Sequence, residues 1–373
     1  MLPVCDTMRN QYRCIEPTIL HRLAEGDGRI MQVRTGIRAA LIKVTLSASL
    51  LVGIPAGAMG QAEYRLRIST ENTRAHVQTQ AIEHFALELE RVTEGRIDVE
   101  FYHSAQLFRD RDVIAALSSG KVEMAVPGMW QLDRYVPDVG LYMLPLFYGR
   151  TAEENYHVRD GEIGALVSQR IARGLGVAVP GRWLDLGHAH LYFTNADIQA
   201  HEDLAGAKIR IPGGIANRKR LKAFGADPVV VAWPDLSDAL SRNQITGVLT
   251  THETIRSAKL WRNGVSTSFE DMEYFAQYVP MINARFWANL PAPLQQQVRN
   301  SWDQIVDAQR YAAIKAQLSA RSALMEQGIK VTSPSADTLM RWRKVARQEE
   351  PAMVRQMGVD PSLVTKAAAA LGE

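Results

Sequence analysis

The residue best placed to do chemistry in this chain is Arg210. It lies in DLAGAKIRIP, residues 203–212, a short run that alternates as a strand does. Ile209 and Ile211 then point to one face and Arg210 to the other. Gly206 precedes the run and Pro212 ends it. A guanidinium is permanently charged and planar, and its fork of donors matches a carboxylate. A strand arginine of this kind is a surface residue, the partner of an internal aspartate, or the receiver of an anionic ligand. Its position bears on the choice. Ligands of open α/β sheets bind beyond the carboxyl ends of the strands, and Arg210 stands one residue before its strand ends, next to two glycines.

Other residue types that do chemistry are sparse. His188 and His190 form an H-x-H pair after a strand, a pattern that can bind zinc and would suit a metal-dependent hydrolase. No HExxH helix, cysteine ligand set or eightfold barrel pattern accompanies it. There is no G-x-S-x-G elbow, phosphate loop or dinucleotide fingerprint. The only cysteines are Cys5 and Cys14, both near the N-terminus. These patterns point to no cofactor, no metal and no catalysis.

The elements that must position Arg210 alternate between strand and helix. Residues 64–70 read as a strand. His76 to Thr93 carries Val77, Ala81, Phe85, Ala86, Leu89 and Val92 at helical spacing, closed by Gly95. Strand 97–102, helix 110–119 and strand 122–126 follow. This βαβαβ order predicts a largely parallel sheet. The rhythm recurs after His188: strand 207–212, helix 216–224, strand 228–232, helix 236–243 and strand 247–250. Pro293 to Gly328 has few breakers and reads as one long helix.

Five blocks in order carry a resemblance: residues 94–126, DLAGAKIRIP at 203–212, AFGADPVVVAW at 223–233, LTTHETIRSAKLW at 249–261, and ARFWANLPAPLQQQV at 284–298. Together they resemble the solute-binding proteins of TRAP (tripartite ATP-independent periplasmic) transporters, the DctP-like family, over about residues 63–350. The resemblance implies an α/β fold, a two-lobe periplasmic binding protein that closes as a clamshell, with a long helix crossing both lobes. Lobe one would hold 63–186 and 276–315, and lobe two 187–275 and 316–373.

It also implies a site. Arg210 matches the family arginine that pairs with a substrate carboxylate. Trp233 stands where an aromatic wall is common, and Thr250 where many members carry an asparagine that touches the ligand. Many members have a second arginine near 187–190. None lies between Arg182 and Arg210 here, and His190 is the nearest substitute. One permanent charge in place of two favours a monocarboxylate with an apolar or aromatic body. Lobe one would add Glu71, Asn72, Gln106, Met129 and Trp130, and the hinge Tyr274, Phe275 and Gln277. Trp130 and Phe275 are the strongest of these.

Residues 31–62 read as a secretory leader. Arg34, Arg38 and Lys43 precede an apolar run from Val44 to Ile54, and Gly60 and Ala62 suit cleavage after Ala62, with Ala56 and Ala58 as the alternative pair. The apolar run is short for a membrane span, which needs ~20 residues. Met31 is a candidate start. The whole chain carries 43 basic and 40 acidic residues. Seven basic and four acidic residues lie in 1–62, so the remainder holds 36 of each. A neutral mature chain argues against nucleic acid or an anionic membrane as its main partner. The expectation is a monomeric periplasmic protein that captures a small organic acid and delivers it to a TRAP membrane permease. A ligand sensor reporting to a kinase is the alternative.

Overall fold

The computed structural model describes residues 62–373. The leader, its cleavage position and both cysteines lie outside them. The first half builds one sheet: β1 (Tyr64–Ser69), α1 (Val77–Val92), β2 (Ile97–Tyr102), α2 (Asp110–Ser118) and β3 (Met124–Ala125). Short 3-10 turns fill much of 129–147, followed by α3 (Ala152–Arg159), α4 (Glu162–Leu175) and β4 (Val177–Ala178). The chain then crosses to a second sheet through β5 (Leu184–Phe193), β6 (Lys208–Ile211), α5 (Ile215–Ala223), β7 (Asp227–Val230), α6 (Leu236–Ser241), β8 (Gly247–Thr250), α7 (His252–Ser257) and β9 (Thr267–Tyr278). It returns to the first sheet as β10 (Met281–Asn283), followed by α8 (Ala284–Asn289) and α9 (Ala292–Glu326). The last elements are β11 (Lys330–Thr332), α10 (Ala336–Ala346), α11 (Glu350–Met357) and α12 (Pro361–Ala370).

Both sheets are mixed, which corrects the expectation of a largely parallel one. The first has the order β2-β1-β3-β10-β4, with β1 parallel to β2 and β3 and β10 antiparallel to β3 and β4. The second has the order β11-β9-β5-β8-β6-β7, with β5 antiparallel to β9 and β8. The reversal has a topological cause. The chain leaves the first sheet on β5 and comes back on β9, so these long strands lie side by side and run in opposite directions. Both are buried on nearly every residue. A strand covered on both faces needs no apolar-polar alternation, which is why the residue pattern does not mark this pair.

The two sheets with their helices form two lobes, and α9 crosses both. At 35 residues it is about 50 Å long. Its first half packs on α1, where the fully buried Trp302 meets Phe85 edge-on at 5.2 Å. Further along, Gln309 clasps the backbone of Asp185, accepting its N–H at 2.8 Å and donating to its carbonyl at 2.8 Å. Gln317 donates to the Leu186 carbonyl at 2.6 Å and accepts the Glu253 N–H at 3.0 Å. The helix is thereby tied to the strand on which the chain changes sheets. The C-terminal helices touch both lobes: α12 lies against α3 and α4, and α11 against α5.

Candidate functional site

The strand β6 lies between β7 and β8, in register with both: Arg210 stands opposite Val229 on one side and Val248 on the other. Ile209 and Ile211 are fully buried on one face, and Arg210 projects from the other, as the alternation requires. Its Nε donates to the Val231 carbonyl at 2.9 Å and Nη1 to the Leu249 carbonyl at 3.4 Å. Nη2 makes no hydrogen bond among the described residues, and no carboxylate there lies within ion-pair distance of the guanidinium. Burial pushes the Arg210 pKa down to about 10, opposed by the charge of Glu71. The group therefore stays cationic at neutral pH.

Arg210 opens into a cavity of about 40 Å³ between the two sheets. Glu71, Asn72, Asp110 and Trp130 line it from the elements of the first sheet. The second sheet contributes Arg210, Trp233, Thr250, Thr251 and Thr254, and β9 adds Tyr274, Ala276 and Tyr278. Trp130 meets Tyr278 edge-on at 5.6 Å, and the Trp233 ring lies 6.0 Å from the Arg210 guanidinium carbon. The Trp130 indole folds back over Gly128, where a Cβ would come within 2.1 Å of the ring. Asn72 donates to the Tyr278 hydroxyl at 2.8 Å. The Asp110 N–H donates to Glu71 Oε1 at 3.3 Å, and Asp110 Oδ2 accepts the Gly128 N–H at 3.3 Å. Burial raises the pKa of Glu71. Burial and then the neighbouring Glu71 raise that of Asp110 well above the ordinary range.

Contacts bridge the two sheets around the cavity. Gln131 donates to the Pro212 carbonyl at 2.8 Å. Asp133 Oδ2 accepts the first two amides of α5, Ile215 at 2.6 Å and Ala216 at 3.1 Å. His76 and Glu253, both buried, meet at 2.8 Å, and the exposed pair Arg109–Asp235 closes the rim at 2.6 Å.

Of the residues singled out from the sequence, Arg210, Trp233, Thr250, Trp130 and Glu71 line this cavity, as do Asn72 and Tyr274. His190, Phe275 and Gln106 do not. The reason for the first two is strand parity. Ala189 and Tyr274 face the cavity, so their neighbours His190 and Phe275 face away. The His190 ring packs on His252 at 4.9 Å, and its Nδ1 accepts the Met272 N–H at 3.3 Å. Burial holds its pKa well below the usual imidazole value, so it supplies no second cation. Phe275 packs on His188 and Tyr156. Gln106 is exposed on the loop after β2. Met129 and Gln277 are buried but do not line the cavity.

Asp110, Thr251, Thr254 and Tyr278 line the cavity without having been singled out. Asp110 reads in sequence as the start of a helix. Tyr278 lies two residues from Ala276 and four from Tyr274, the spacing of one strand face, which is visible only once β9 is known to be a strand. His188, the other half of the H-x-H pair, has its Nε2 2.8 Å from the Arg150 carbonyl. Among the described residues no cluster of three or more His, Cys, Asp or Glu is placed to hold a metal ion.

The fold is shared with solved structures. A TRAP periplasmic solute-binding protein from Sulfurospirillum deleyianum, with bound succinate, superposes with a TM-score of 0.76 at 22% identity, covering 83% of this chain and 100% of that one. A sugar acid-binding protein from Advenella mimigardefordensis, in complex with galactonate, gives a TM-score of 0.77 at 18% identity, covering 83% and 97%. Among curated proteins, the C4-dicarboxylate-binding periplasmic protein DctP of Rhodobacter capsulatus is 25% identical over 285 residues, 75% of this chain and 84% of the relative. The sialic acid-binding periplasmic protein SiaP of Vibrio cholerae is 21% identical over 298 residues, covering 79% and 90%. The family model of the bacterial extracellular solute-binding proteins, family 7, matches residues 68–356. The chain therefore belongs to that family, the DctP-like solute-binding proteins of TRAP transporters.

Proposed function

We propose that this protein captures a small organic carboxylate in the cavity at Arg210 and delivers it, outside the cytoplasm, to a TRAP-type membrane permease. Arg210 carries the reading. It is a buried guanidinium oriented by two backbone carbonyls, with one nitrogen uncommitted, at the end of a strand facing the opposite lobe. The ligand carboxylate occupies that nitrogen, and closing the lobes over it desolvates and strengthens the pair. Relatives described with succinate and galactonate support the ligand class. The cavity volume of about 40 Å³ favours a compact acid, since a single water takes about 10–15 Å³ on that measure. With His190 turned away, Arg210 is the one lining residue with a permanent positive charge, which favours a monocarboxylate. The protein acts by binding alone. It works as a periplasmic monomer released by cleavage of the leader, with lobe one formed by 63–186 and 276–315 and lobe two by the remainder.

The test is a thermal-shift screen of residues 63–373 against a library of small acids. A ligand at a hundred times its Kd adds about 2.7 kcal/mol of stability. Losing one partner of a buried charge pair costs about 3–5 kcal/mol, or about 10²–10⁴-fold in affinity. Arg210→Ala should lose carboxylate hits by that factor, and Arg210→Lys, which keeps the charge but not the fork, should weaken them too. Undiminished affinity in both variants refutes the assignment.

A further inference from the structure

The cavity holds more acid than a simple carboxylate ligand accounts for. Glu71 and Asp110 line it together with Arg210. Neither carboxyl group has an arginine, lysine or histidine nitrogen within ion-pair distance among the described residues. The nearby Arg109 is committed to Asp235 at 2.6 Å. Asp110 is only 6% exposed. A bound carboxylate at Arg210 would put three acidic groups around one cation in a closed space, where like charges repel far more strongly than in water. Both carboxyls already sit above their ordinary pKa range, chiefly through burial. A cation beside them restores their ionised form.

The walls suit such a cation. Four aromatic residues, Trp130, Trp233, Tyr274 and Tyr278, line the same space, and aromatic faces attract ammonium groups, quaternary ones included. A second observation marks the same place as built for a ligand. Arg210, 3% exposed, lines it with Nη2 free of any hydrogen bond among the described residues. A buried donor left unmade is costly.

Resting on the assignment of Arg210 to a carboxylate, we propose that the ligand is a zwitterion, a small amino or quaternary-ammonium carboxylate. Its carboxylate meets Arg210, and its cationic end lies towards Glu71 and Asp110 within the aromatic walls. Charge then balances across the cavity, with each pole of the ligand opposite a protein group of the other sign.

The experiment is isothermal titration of residues 63–373 with matched pairs that differ in charge but hardly in shape: glycine betaine with 3,3-dimethylbutanoate, alanine with 2-methylpropanoate, and proline with cyclopentanecarboxylate. The inference expects at least one zwitterion to bind tenfold or more tightly than its uncharged-end partner. It also expects Glu71→Gln and Asp110→Asn to shrink that ratio towards one while Arg210→Ala weakens both members. Equal or tighter binding of the partner acids, with Arg210→Ala still abolishing it, overturns the zwitterion and leaves the carboxylate reading standing. No binding by either member of any pair, together with a silent carboxylate screen, overturns both.

Discussion

Asp133 offers a test of how the two lobes hold together. It follows the strand β3 of the first sheet, yet its Oδ2 accepts the amides of Ile215 and Ala216 at the start of α5 in the second. The residue before that helix is Gly214, which has no side chain to cap it, so Asp133 caps it from across the cleft. The cap is 2% exposed. Burial outweighs the amides of Ala216, Ile215 and Arg134 and pushes the pKa up to about 6, against about 3.9 for an ordinary aspartate. Because the folded value is the higher one, folding favours the protonated acid. The associated stability is fully present below about pH 4 and is lost as pH rises through about 6. About two decades of proton affinity at about 1.4 kcal/mol each amount to about 3 kcal/mol. Asp133→Asn keeps an oxygen for the amides but cannot ionise. The stability of the variant minus that of the natural protein should therefore climb by about 2 kcal/mol between pH 4 and pH 7. Urea unfolding of both proteins at four pH values in that range measures this, and the other titrating groups cancel in the difference. A flat difference, or one that falls with pH, would refute the reasoning, because it would mean that the helix amides stabilise the carboxylate more than burial penalises it.

Two further predictions concern the parts that frame the cavity. Gly214 has φ 94°, and a Cβ there would lie 3.1 Å from the Trp130 carbonyl of the facing lobe. Gly214→Ala should cost about 1–3 kcal/mol of stability through its backbone, and its added contact with the facing lobe should also weaken ligand affinity by calorimetry. Gly206→Ala is the control, since its φ is also positive but nothing lies within 4 Å; it should lower stability without lowering affinity. Behind the cavity, the buried Arg220 pairs with Glu273, and its guanidinium carbon lies 5.4 Å from the ring of Tyr274. Glu273→Ala should destabilise the fold by about 3–5 kcal/mol in denaturant titration, and a loss below 1 kcal/mol would show that the pair contributes little.

Much of the architecture was legible because local rules govern it. Strand β1, helices α1 and α2, and the run from β6 to β8 fall within a few residues of their expected places. Helices α1 and α2 and strand β6 carry periodic apolar faces ended by Gly95, Gly120 and Pro212, a pattern that burial of one face imposes on any chain. The long helix α9 was read to within two residues at either end, at 292–326 against 293–328. The antiparallel pair β5 and β9 was not read, because burial on both faces removes the alternation that would reveal it. That omission carried over to the site. Without the register of β9, Phe275 stood for its neighbours Tyr274 and Ala276. Without the register of β5, His190 stood in for a second cation although Ala189 is the residue on the cavity face.

The sequence by itself determined the candidate anion receiver, the α/β rhythm and the family resemblance, because each rests on residue type and short spacing. Tertiary structure decided which groups share the cavity. Glu71, Asp110, Arg210 and Tyr278 come from four segments well separated in the chain, and their meeting depends on where two sheets close against each other. It also decided the electrostatics. Whether a histidine is a cation or a neutral ring, and whether a carboxyl is charged, depends on burial and on neighbours brought from a distance, which no local spacing encodes.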